Sequence, residues 1–161
     1  MKYINKSFSI ENIKAQNLAK KFNTPIYCYS YKLLKENIIN FNKNFKSFKP
    51  LVCFAVKANS NIGILKEIRK LGLGADVVSM GELMKALKAG ISPKKIVFSG
   101  VGKTSLEINY AIDKKILLIN AESISEVKEI EKIAKAKKKV IDIGIRLNPN
   151  TDAKTLFQIS T

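Results

Sequence analysis

Gly74-Ala75-Asp76-Val77-Val78-Ser79-Met80-Gly81-Glu82-Leu83 holds a strand and a helix start with almost nothing between them. Its first half is mostly apolar without a polar alternation, as expected of a strand covered on both faces. Ser79 and Glu82 then stand at capping-box spacing before Leu83, Met84 and Leu87, and Gly90 is a good stop. The reading is one βα unit with its helix beginning at residue 80.

Outward from this stretch the unit recurs. Apolar runs occupy 51–56, 96–99, 116–120 and 140–147. Thr104-Ser105-Leu106-Glu107 and Ser123-Ile124-Ser125-Glu126 repeat the helix-start signal. In such a box a hydroxyl and a carboxylate satisfy N–H groups the helix leaves unpaired, which gives Glu82, Glu107 and Glu126 a structural role. Strand starts recur every ~20 to 24 residues, the period of a parallel βα sheet. An open doubly wound sheet and a (β/α)8 barrel both fit that repeat. No glycine-rich dinucleotide fingerprint follows any strand. Gly100-Val101-Gly102-Lys103-Thr104 reads as a turn into a helix capped by Thr104 rather than a phosphate loop. The last run has no helix after it, and a complete barrel needs ~250 residues. The expected fold is therefore α/β, the N-terminal part of a (β/α)8 TIM-type barrel with about five βα units, cut short.

Before residue 51 the pattern is less regular. Ile10, Ile13, Leu18, Ala19 and Phe22 fall at helical spacing and stop at Asn23-Thr24-Pro25. Ile26-Tyr27-Cys28-Tyr29 reads as a short strand, and Leu34, Ile38, Phe41, Phe45 and Phe48 lie on one face of a longer helix. This organisation divides the chain into residues 1–30, a helix and strand leading in, and 31–161, a partial barrel domain.

Composition excludes several classes. Of 161 residues, 46% are hydrophobic and 26% charged, a globular balance. No apolar run approaches a membrane span, and Met1-Lys2-Tyr3-Ile4-Asn5-Lys6 lacks a signal-peptide core, so a cytoplasmic location is expected. Cys28 and Cys53 lie in apolar runs as small hydrophobes, and no metal site is expected. Histidine is absent, which removes the usual general base. The net charge of +16 invites a nucleic-acid reading, but only Arg69 and Arg146 are arginine. No specific nucleic-acid partner is expected, only adhesion to polyanions at low salt.

One lysine differs from the rest. Lys57 follows the run Val52-Cys53-Phe54-Ala55-Val56 and precedes Ala58-Asn59-Ser60-Asn61. A lysine at the mouth of a buried strand is partly desolvated, and desolvation frees its amine as a nucleophile toward carbonyls. The plainer reading is a strand-end lysine reaching into water.

Phe54-Ala55-Val56-Lys57-Ala58-Asn59 resembles the lysine motif of the fold type III pyridoxal-phosphate-dependent decarboxylases. Thr24-Pro25-Ile26-Tyr27-Cys28-Tyr29, the stretch from Gly72 to Leu83, Ile96-Val97-Phe98-Ser99-Gly100-Val101-Gly102-Lys103 and Arg146-Leu147-Asn148-Pro149 match further family motifs in order. Asp152-Ala153-Lys154-Thr155 and Ile159-Ser160-Thr161 continue the match and favour the diaminopimelate decarboxylase branch over those for ornithine, arginine or carboxynorspermidine. The resemblance implies a pyridoxal 5'-phosphate cofactor held by Lys57 as a Schiff base, with Asp76 near the lysine and Arg146 beside the cofactor. It implies an amino-acid decarboxylase in lysine biosynthesis, homodimeric at full length. The family's histidine over the cofactor ring, its glycine-rich phosphate loop and its glutamate for the pyridine nitrogen come from beyond Thr161. Cys28 and Cys53 match neither the family's C-terminal cysteine nor its place. Leu156-Phe157 stands where the family usually has His-Pro. Alone, the chain is expected to be weakly active or inactive.

Overall fold

The structure is a computed structural model that describes residues 2–4, 6–45, 47–48 and 50–148. The motif residues from Pro149 onward, among them Asp152, Ala153, Lys154, Thr155, Leu156, Phe157 and Ile159 to Thr161, lie outside the described residues. The chain forms two compact units, Met1–Pro50 and Leu51–Thr161.

The first unit departs from the sequence expectation. Lys2–Ile4 (β1), Ser7–Ile10 (β2) and Ile13–Lys14 (β3) form a small antiparallel sheet in the order β1-β2-β3. Ile10 and Ile13, read as helical, face each other across the β2–β3 turn instead. The helix Ala15–Phe22 (α1) keeps only Leu18, Ala19 and Phe22 of that face. The expected strand at 26–29 forms no ladder, because no neighbouring strand offers its side chains and backbone a partner among the described residues. Tyr31–Asn44 (α2) is capped by Ser30, whose hydroxyl oxygen accepts the Leu33 N–H at 3.1 Å. Glu11 Oε1 locks this cap by accepting from Ser30 Oγ and the Lys32 N–H, both at 2.9 Å. Those two donors hold the Glu11 carboxyl below its ordinary range. Helix α2 ends before Phe45 and Phe48, so the apolar face is shorter than its spacing suggested.

The second unit is the βα series. Cys53–Ala55 (β4), Gly74–Val77 (β5), Ile96–Phe98 (β6), Leu118–Ala121 (β7) and Asp142–Ile145 (β8) form one parallel sheet in sequence order. Ile62–Lys70 (α3), Met80–Lys88 (α4), Ser105–Asp113 (α5) and Ile124–Ala136 (α6) fill the connections. Every strand falls within or beside a run read from sequence. One sheet face is covered: Ala75, Val77, Ile96, Phe98, Ile119 and Ala121 pack with Leu65, Leu83, Ile108 and Ile130 of the four helices. Burying each large side chain there contributes roughly 1.5–3 kcal/mol.

The helix ends repeat a motif. After α3, α4, α5 and α6 two amides turn back onto the last helical turn. They are Gly72 and Leu73, Gly90 and Ile91, Lys115 and Ile116, Lys138 and Lys139. This Schellman geometry needs a left-handed residue at the first position and favours an apolar one at the second. Gly72 and Gly90 take φ 86° without strain, whereas Lys115 and Lys138 take φ 53° and 51° at a cost of about 1 kcal/mol each. No helix among the described residues is long and apolar enough to cross a membrane.

Candidate functional site

Paired residues of a parallel ladder share a face, so the register defines what the uncovered face carries. Ala55 pairs with Asp76, Asp76 with Val97, Val97 with Leu118 and Leu118 with Asp142. Two residues on, at the C-terminal ends of the strands, stand Lys57, Ser99, Asn120 and Gly144. On this face Ala55, Asp76, Val97, Ser99, Leu118 and Asn120 are half-buried and Lys57 is exposed, unlike the fully buried row behind them.

Lys57 sits in a single 3-10 turn, Val56–Ala58, directly after β4. Val56 is fully buried and fixes the turn from below. The loop is tied by asparagines: Asn59 Oδ1 accepts the Asn61 N–H at 3.0 Å, and Asn61 Oδ1 accepts the Gly63 N–H at 2.8 Å as the cap of α3. Asn59 thus orders the loop that follows Lys57. Lys57 itself is exposed and has no polar partner among the described residues. The desolvation expected at the strand mouth is not supplied here, because this face of the sheet lies open.

Asp76 lies in the middle of a hydrogen-bonded row. Asn120 Nδ2 donates to Ser99 Oγ at 3.0 Å, and Ser99 Oγ donates to Asp76 Oδ1 at 2.6 Å. The row crosses β5, the end of β6 and β7, and its direction requires Asp76 Oδ1 to be an acceptor. A β-carbon at Gly144 would collide with Asn120 Oδ1, so glycine keeps the row open toward β8. Cys53 lies on the same face, and burial first, then the Asp76 carboxylate, pushes its thiol pKa up. Its Sγ lies 3.8 Å from the Lys95 carbonyl oxygen.

Arg146 follows β8 and is half exposed. Its Nη1 stands 3.4 Å from Glu122 Oε2, while Glu122 Oε1 accepts the Gly100 N–H at 2.9 Å. The structure thus places Lys57, Asp76 and Arg146 at the same end of the sheet. It gives Asp76 and Arg146 separate supports and brings none of the three into contact with another.

Beneath Glu122 lies a lysine that the sequence did not single out. The Lys103 side chain is fully buried, and its ammonium donates to Gly100 O at 2.6 Å and to Asn120 O and Glu126 Oε1 at 2.7 Å. All three of its protons are used, and its ammonium stands over the Phe98 ring. Glu126 spends its other oxygen on the Glu122 N–H at 2.9 Å. The capping motifs therefore do more than cap. Only Thr104 and Glu107 form a complete box; Glu82 and Glu126 reach one residue further back, to Val78 and Glu122. Glu107 also accepts the Met80 N–H at 2.9 Å, and the Thr104 and Met80 amides hold its carboxyl below the ordinary range. Ser99 and Asn120 could have been found as polar residues closing apolar runs in phase with Asp76. Nothing in the sequence separates Lys103 from its many surface counterparts. Among the described residues no group of carboxylate and thiol side chains could hold a metal ion.

The sequence matches the family described as pyridoxal-dependent decarboxylase, pyridoxal binding domain, over residues 31–161. It is 49% identical to a diaminopimelate decarboxylase of Helicobacter pylori over 91% of this chain and 36% of the relative. It is 43% identical to that of Aquifex aeolicus over the whole chain and 38% of the relative. The crystal structure of the H. pylori enzyme complexed with L-lysine superposes with a TM-score of 0.87 over 91% of this chain and 37% of that one, at 48% identity. The M. jannaschii enzyme superposes with 0.89 over 95% and 37%, at 38% identity. The chain thus spans little more than a third of the length of the curated relatives it matches.

Proposed function

We propose, from the premise that the chain belongs to the pyridoxal-dependent decarboxylases through their pyridoxal binding domain, that it forms the N-terminal part of a diaminopimelate decarboxylase. That enzyme takes one carboxyl group from meso-diaminopimelate and leaves L-lysine. The observation that carries the reading is the position of Lys57: an exposed amine at the C-terminal end of the first strand of the series, the end where barrels of this kind carry their sites.

The donor set fits the cofactor. Pyridoxal phosphate supplies an electron sink for the carbanion left when carbon dioxide departs. Lys57 offers the primary amine that attaches it. Asp76, with Oδ1 taken by Ser99, keeps Oδ2 free to orient the Lys57 ammonium. Arg146, steered by Glu122, keeps guanidinium N–H groups for an anionic oxygen.

The test is to mix the purified chain with pyridoxal phosphate, reduce with borohydride and map the adduct by mass spectrometry. Labelling concentrated on Lys57 is expected; labelling scattered over surface lysines overturns the site. For the substrate, the complete enzyme should release carbon dioxide from meso-diaminopimelate, and this chain alone little or none. Release from ornithine or arginine in its place moves the protein to another branch.

A further inference from the structure

The opposite pole of the sheet carries a second feature. Three lysines there occupy positions where the local geometry favours other residues. Lys115 and Lys138 hold the left-handed position that Gly72 and Gly90 hold after the two preceding helices. Lys139 stands where Leu73, Ile91 and Ile116 bury an apolar side chain. The helix dipole favours a cation in the last turn but does not account for one placed against backbone strain. A strained residue that persists points to a use for its side chain.

Lys115 and Lys139 converge on one cleft, and Lys138 stands on the neighbouring groove along α6. Because all five strands are parallel, the helix-to-strand connections share one end. Lys94, Lys115 and Lys139, from three successive connections, line a cleft of about 240 Å³ floored by Ile112, Ile116 and Ile141, with Asp142 as the one carboxylate in its lining, so the cleft stays net positive. Asp113 binds Lys137 and Lys139 at 2.7 Å each, so one carboxylate fixes two ammonium groups and the pair stays net positive. Lys94, Lys115 and Lys138 are exposed and without a polar partner among the described residues.

We propose that this pole is a docking surface for the phosphodiester backbone of nucleic acid, bound without sequence preference. Lysine ammonium groups meet phosphates as point charges, and Arg69, in the last turn of α3, lies against Gly90 rather than lining the cleft, so no arginine fork there reads bases. The lysines line a cleft, which a linear strand can follow and a flat lipid surface cannot. The net charge of +16 supplies long-range attraction, and the three out-of-place lysines supply the location.

The test compares two double variants of this chain by anisotropy of a short labelled single-stranded oligonucleotide over a salt series. K115G with K138G removes two charges and relieves the left-handed strain; K66A with K128A removes two exposed charges from helix α3 and helix α6. The first pair should keep or raise Tm, weaken binding about tenfold or more at low salt and lower the slope of log affinity against log salt by ~1.4. The second pair should leave the slope nearly unchanged. Equal losses from both pairs overturn the proposal in favour of diffuse charge. Binding to anionic vesicles in preference to the oligonucleotide overturns it in favour of a lipid surface.

Discussion

Single residues here divide between those that chemistry exposes and those that burial conceals. Lys57 stands out in the sequence because it closes an apolar run at a strand end, whereas Asp76, inside β5, was named only through the family resemblance. Lys103 does not stand out, because a buried lysine and a solvated one are the same letter until the fold supplies its acceptors. Replacing it by methionine keeps much of the stem but leaves Glu126 without its cation. Removing one partner of a buried pair costs about 3 kcal/mol or more, which urea denaturation of Lys103→Met should show. Asp113 gives the opposite, solvent-side case. The Lys137 ammonium and then that of Lys139 bring its pKa from 3.8 down to about 2. A carboxyl depressed in the folded state stabilises above its unfolded pKa, and that contribution is lost as pH falls through the folded value. Wild type should therefore melt above Asp113→Asn at neutral pH, with the two Tm curves converging between pH 4 and about 2. A gap as wide at pH 2 as at neutral pH would remove the ion pairs as its cause.

Elements were readable in proportion to their regularity. The five strands followed from their period and helices α4, α5 and α6 from their caps, since each local signal agrees with the next. The N-terminal hairpins did not, because β2 is four residues long and β3 two, too short for alternation to outweigh an accidental helical spacing. Helix α5 is the best capped of the series, and its Thr104→Ala variant should lose about 1 kcal/mol in the same denaturation assay. Glu107→Ala should cost more than Thr104→Ala, because it also strips the Met80 amide at the head of α4. Gly74→Ala tests the sheet itself. A methyl there would meet the Lys95 carbonyl, a backbone atom that cannot turn aside, so a loss of about 1–3 kcal/mol is expected.

Over the molecule as a whole, β8 pairs with one strand among the described residues and presents Ile143 and Ile145, 40% and 67% exposed, beside the apolar groove along α6. An open apolar edge invites association, and Ile145→Lys should lower the light-scattering mass of concentrated chain. Five of the chain's polar ties share a direction that limits where it can be interrupted. Asp76 accepts from Ser99 and Asp113 from Lys137, while Met80 donates to Glu107, Gly100 to Glu122 and Lys103 to Glu126, each partner 22 to 27 residues later. The units overlap like roof tiles, each sealed by the one laid after it. A chain stopped after Ala121 would retain β7 yet leave Lys103 sealed in without its carboxylate. To keep any given tile watertight, the polypeptide has to run on through the whole of the next one.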